Sequence, residues 1–158
     1  MTLLSLGRLP ELFAGGFAHV ALADWISAFP DMTPALQVTW CNFLGGTIEA
    51  NRDAWVKASP ITYVDAVRAP VWLKQGEYDT RTPPRQALGY AEALRAVGGD
   101  VVIEFFAGGH AAGGLEALRD DHRRMIDLAN RALAGERWSD QGGEPTDETD
   151  DGASIDLD

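Results

Sequence analysis

The sequence predicts an α/β fold built on parallel strands, and three observations predict it. Short apolar runs at Gly16–Leu22, Val71–Gln75 and Val101–Phe106 have the length and residue types of buried strands. Two longer stretches with helical spacing, Pro84–Val97 and Leu115–Leu133, follow the second and third runs. Proline and glycine punctuate the joints between them. A strand–helix–strand–helix order requires helical crossovers between parallel neighbours.

Taken in order, GFAHVAL at 16–22 reads as a short buried strand. The segment from Asp24 to Tyr63 is an excursion carrying Trp25, Trp40 and Trp55, with two short helical patterns and several turn signals. VWLKQ at 71–75 is set off by Pro70 before it and Gly76 after it. In 84–97, Leu88, Ala91, Leu94 and Val97 recur every third residue, with proline at the start and Gly98-Gly99 at the end. VVIEFF at 101–106 is rich in β-branched and aromatic side chains. In 115–133 the predicted inner face is Leu115, Leu118, His122, Met125, Ala129 and Ala132, with most of the arginines off it.

With 158 residues and 46% hydrophobic side chains, the chain suits one packed domain. Its charge is −11, but eight of its 24 acidic residues fall in 139–158, where there is no basic one. The remaining 16 acidic residues face 13 basic ones, so the body sits near −3. The whole-chain balance of 13 basic against 24 acidic residues argues against nucleic acid and anionic membranes as partners. The expected organisation is a folded body over 1–138 and a disordered acidic tail over 139–158. Asp147, Thr149, Asp151, Gly152 and Asp158 match the spacing of a calcium-binding loop. The last of them is not the required glutamate and no amphipathic helix flanks the loop, so the expectation is a solvated tail. No metal or cofactor is expected. Cys41 is the single cysteine, no run of 18 apolar residues occurs, and 1–16 lacks the features of a signal peptide. A cytoplasmic protein is expected.

Parallel sheets carry their working residues on the loops at the carboxyl ends of strands. The loop after the second strand holds Asp79, and the Gly-rich loop after the third holds His110. A carboxylate that orients an imidazole, which in turn shuttles a nucleophile's proton, is what a hydrolase needs. On spacing alone, Asp79 serves equally well as a turn residue ahead of the helix near Pro83. His110 has no local structural reason to be there. His122 reads as a packed or edge histidine, and His19, inside a probable strand, likewise.

The residues 58–63 (ASPITY), Ala69-Pro70, 76–83 (GEYDTRTP) and Gly109-His110, with 9–16 (LPELFAGG) and Asp24-Trp25 upstream, resemble the prolyl oligopeptidase family of serine peptidases. The resemblance covers about residues 1–134. It implies the carboxyl-terminal part of an α/β-hydrolase catalytic domain, with Asp79 as the triad acid and His110 as the base. It also implies peptide substrates and, in a longer form, an amino-terminal domain that limits access to short ones. This sequence departs from the family pattern in having no G-x-S-x-G. That elbow carries the family's nucleophilic serine and positions an oxyanion donor. The segment 1–8 resembles the helix that follows the elbow, so the expected serine lies just before residue 1. Gln75 stands where the family usually has histidine, and Ala111 where it often has glycine.

The expectation is therefore no turnover by this chain alone, because loss of a triad member costs on the order of 10⁴–10⁶ in rate. The first strand is expected to present an apolar edge and an uncovered face, leading to self-association, a partner chain or marginal stability. The alternatives to a fragment of a longer peptidase are half of a split hydrolase completed by another chain, and a non-catalytic binding module.

Overall fold

The structure is a computed structural model that describes residues 1–111 and 113–140. The tail positions of the calcium-loop pattern lie outside the described residues. The described strands are β1 (Gly16–His19), β2 (Val71–Gly76) and β3 (Val101–Phe106), forming one parallel sheet in the order β1-β2-β3. The helices are α1 (Thr2–Arg8), α2 (Trp25–Ala28), α3 (Pro34–Phe43), α4 (Arg52–Ala58), α5 (Pro84–Ala96) and α6 (Leu115–Leu133). Short 3-10 turns follow α2 and α4, at Phe29–Asp31 and Pro60–Ala66. The chain thus has the predicted α/β class, as a partial α/β-hydrolase fold.

β2 is central because its sequence tolerates burial on both faces. Val71, Trp72 and Leu73 are fully buried, and Gly16↔Val71 and Val71↔Val101 start the two parallel registers together. On one face, Leu3 and Leu6 of α1 and Ala87, Tyr90, Ala91 and Leu94 of α5 pack on Ala18, Val71, Leu73 and Val101. On the other, Leu128 and Met125 of α6 pack with Trp138 on Phe17, Trp72 and Val102. Alternation along the strands sorts their side chains between these two layers.

Three expectations need correction. β1 ends at His19 rather than Leu22, because Val20 turns to φ 45° and takes the chain out of the extended region. In α5 the inner face is Ala87, Tyr90, Ala91 and Leu94, whereas Leu88 and Val97 are exposed. A repeat of three drifts off one face of a helix with 3.6 residues per turn, and Ala91 and Leu94 are the part that stays on it. In α6 the buried positions are Asp121 and Leu128, while Leu115, Leu118 and His122 are exposed. Asp121 pairs with Lys74 on the sheet, which rotates the helix away from its most apolar stripe.

The Trp-bearing excursion holds three short helices, a 3-10 turn and the start of a second one, rather than two helical patterns. Trp25 and Trp40 meet with tilted rings whose centres are 4.1 Å apart, so Trp25 packs within the excursion. Asp24 caps α2 through Ile26 N–H at 3.0 Å. The buried Gln86 of α5 ties this segment to the body, accepting from Ala23 and Asp24 N–H and donating to Ser27 Oγ. Among the described residues no helix is long and apolar enough to cross a membrane.

Candidate active site

The two loops at the carboxyl ends of β2 and β3 are built as one unit. Glu77 N–H donates to Phe106 O at 3.1 Å, and Tyr78 N–H donates to Gly108 O at 2.9 Å. Gly76 makes the crossing possible, because a Cβ there would lie 2.7 Å from Gly108 O. The chain of β2 therefore passes directly under the Gly-rich loop, and the residue beneath must lack a side chain.

This crossing brings Asp79 and His110 together. His110 Nδ1 lies 2.9 Å from Asp79 Oδ2, across 31 positions of sequence. Asp79 is 3% exposed. Its other oxygen, Oδ1, accepts from Arg81 N–H at 2.8 Å and Thr82 N–H at 2.9 Å. The same carboxylate thus closes the turn ahead of α5 with Oδ1 and meets His110 with Oδ2. Burial is the largest influence on the Asp79 carboxyl and by itself raises its pKa. The hydrogen bonds from Thr82, His110 and Arg81 outweigh it and hold the group below its usual range.

An ionised Asp79 accepts only, so it fixes the imidazole proton on Nδ1 and leaves Nε2 as the basic nitrogen. Among the described residues nothing hydrogen-bonds to Nε2, and the His110 side chain is 36% exposed. A histidine oriented by a buried acid, with its far nitrogen open, can take a proton from a hydroxyl placed against it. No hydroxyl within G-x-S-x-G occurs in the 158 residues.

Neither of the other histidines is hydrogen-bonded to this pair among the described residues. His122 lies exposed on α6, on the edge side of its packed-or-edge reading. His19, on β1, stacks on Phe106 with ring centres 5.4 Å apart and planes 11° from parallel. Burial lowers its pKa and keeps it neutral. Among the described residues no group of three or more His, Cys, Asp or Glu side chains could hold a metal ion.

Gln75 was not expected at the site. It is fully buried at the end of β2, and its Nε2 reaches Asp79 Oδ2 at 3.4 Å and Thr82 O at 3.0 Å. Its place after the apolar run Val71–Leu73, beside the equally polar Lys74, did not single it out in the sequence. Gly76 was legible as the end of a strand, but its contact with the histidine loop was not.

Solved structures share this fold. A Pyrococcus horikoshii acylaminoacyl peptidase superposes with a TM-score of 0.67 at 22% identity, covering 89% of this chain and 23% of that one. A Mycobacterium tuberculosis puromycin-hydrolyzing peptidase matches with a TM-score of 0.67 at 19% identity, covering 75% and 18%. Porphyromonas gingivalis dipeptidyl peptidase 4 matches with a TM-score of 0.68 at 16% identity, covering 81% and 17%. The present chain thus spans about a fifth of the length of these proteins. A sequence model of the prolyl oligopeptidase family matches residues 1–136, nearly the whole of the folded body just described. The chain belongs to the prolyl oligopeptidase family.

Proposed function

We propose that Asp79 and His110 are the acid and base of a serine-type peptidase whose nucleophile comes from a segment outside these 158 residues. The observation that carries this reading is the 2.9 Å contact between His110 Nδ1 and the buried Asp79 carboxylate. In the proposed reaction His110 Nε2 takes the serine proton as the hydroxyl oxygen attacks a peptide carbonyl. The imidazolium, stabilised by Asp79, then gives that proton to the leaving amine. Water repeats the sequence on the acyl-enzyme and regenerates the serine. The serine and the oxyanion donors of its elbow belong to the missing segment. By itself this chain turns over no peptide. The folded body is residues 1–138, and 139–158 is an acidic appendage. The lone Cys41 suits a reducing, cytoplasmic setting.

The free edge of β1 is where such a segment fits. Among the described residues β1 pairs on one side only, with β2. Beside it runs an apolar groove of about 350 Å³, lined by Ala14, Phe17, Met125, Leu128 and Leu133 among others. An edge strand with an apolar groove attracts another strand. The same edge supports the second reading, a split hydrolase completed by another chain, and it favours self-association when nothing else covers it.

The test joins a segment carrying G-x-S-x-G to this chain, both fused ahead of residue 1 and co-expressed as a separate chain. Peptide p-nitroanilide hydrolysis and fluorophosphonate labelling are then measured. Activity in the fusion that falls about 10⁴-fold in Asp79→Asn supports the proposal. Activity in both formats supports the split enzyme as well. Labelling of the isolated chain, or hydrolysis indifferent to His110→Ala, overturns it.

A further inference from the structure

Gln75, the next-to-last residue of β2, is fully buried. Its Nε2 lies 3.0 Å from Thr82 O, 3.2 Å from Gly76 O and 3.4 Å from Asp79 Oδ2. These three acceptors fix the orientation of the amide. An oxygen in place of Nε2 would face two carbonyls and a carboxylate, all electronegative. The consequence appears at the other end of the group. Gln75 Oε1 is buried with no hydrogen-bond partner among the described residues. A buried acceptor without a donor is unfavourable, and an alkyl side chain would avoid it. An alkyl side chain would not donate to the turn.

The contacts form a closed circuit. Thr82 N–H donates to Asp79 Oδ1, Thr82 O accepts from Gln75, and Gln75 reaches Asp79 Oδ2. Two backbone N–H groups hold Oδ1, whereas Oδ2 has two side-chain donors, Gln75 Nε2 and His110 Nδ1. Without Gln75, Oδ2 would keep its histidine but lose the second donor, which limits rotation of the carboxylate.

We propose that Gln75 is a positioning residue for the Asp79–His110 pair, its amide holding Asp79 Oδ2 in line with His110 Nδ1. The proposal rests on that pair being the working acid and base. It also accounts for the residue type. Glutamate would match the shape of Gln75 but would set a second acceptor against Asp79.

The test is NMR spectroscopy of the 158-residue chain, which requires no turnover. The wild-type protein is expected to show a far-downfield proton from His110 Nδ1–H, absent in Asp79→Asn. In Gln75→Leu that proton is expected to broaden or vanish through faster exchange with water, while the indole resonances of Trp72 and Trp138 stay dispersed. The Gln75 side-chain amide resonances are expected to shift between wild type and His110→Ala. That second measurement holds even if Gln75→Leu fails to fold. An unchanged downfield proton in Gln75→Leu, or Gln75 amide resonances unmoved by His110→Ala, overturns the proposal. Failure of the peptidase reading is seen separately, as no hydrolysis when the serine segment is supplied although these signals are intact.

Discussion

A methyl group at Gly76 would lie 2.1 Å from the carbonyl oxygen of Gly109, the residue before His110. The end of β2 and the histidine loop therefore touch backbone to backbone, and that contact sets the height of His110 over the Asp79 turn. Rigid backbone on both sides leaves an added Cβ nowhere to go.

Gly76→Ala is thus expected to displace the loop rather than be absorbed. Overpacking of this kind costs about 1–3 kcal/mol. The expected outcome is a loss of that size in chemical denaturation, together with loss of the far-downfield His110 proton. Gly89→Ala is the control, because a Cβ there meets nothing within 4 Å. It is expected to keep the proton and to match or exceed wild-type stability, as alanine favours helix over glycine.

Stability is expected to fall with acid in two separate steps. His19 has its pKa lowered by burial from an ordinary 6.5, with Asp121 and Asp79 opposing and Lys74 and His110 reinforcing the shift. Below pH 6.5 the unfolded chain takes up a proton that the folded chain resists, so stability present above that pH declines as the pH falls. Asp79 is likewise held below its ordinary 3.8, chiefly by hydrogen bonds that outweigh burial. Its contribution is complete above 3.8 and is lost as the pH falls through its folded value. Melting temperature measured against pH should show both declines. His19→Phe should remove the upper one and Asp79→Asn the lower one.

The sheet was legible in the sequence because β-branched and aromatic runs bounded by Pro70 and Gly76 leave few alternatives for a strand. The pairing of Asp79 with His110 was legible for a topological reason, since adjacent parallel strands deliver their end loops to one side. The inner faces of α5 and α6 were not. Hydrophobicity favoured Leu88, Leu115 and Leu118, whereas tertiary contacts buried Tyr90 and Asp121. Asp121 is set by Lys74, a partner 47 positions away, and no local pattern reports it. Gln75 was hidden for the same reason, because its partners lie in a turn that only the folded loop assembles.

The Lys74–Asp121 pair offers a direct measure of that override. The two side chains are 13% and 8% exposed, so each charge depends on the other. Lys74 Nζ also lies 5.8 Å from the centre of the Phe106 ring, beneath the histidine loop. Asp121→Ala should destabilise the fold by about 3 kcal/mol, because it strands a cation between sheet and helix. Lys74→Met combined with Asp121→Leu should cost less than that single change. Denaturant titrations of the two variants check the order, and a double variant that costs more than Asp121→Ala would show that the pair is not coupled.

Trp138 closes the layer on the α6 side from just beyond the end of that helix. It is 1% exposed, and its ring centre lies 6.0 Å from that of the fully buried Trp72. Asp100, immediately before β3, accepts from Trp138 N–H and Ser139 N–H, fastening this segment to the sheet. A chain ended at residue 136 should therefore lose about 3–5 kcal/mol relative to one ended at residue 140, the cost of removing a buried tryptophan. Trp138→Ala in the longer chain should reproduce most of that loss, and Asp100→Ala a smaller part of about 1–2 kcal/mol from the two hydrogen bonds. Denaturant midpoints decide the matter. Equal midpoints for the two chain lengths would show that the folded unit ends with α6.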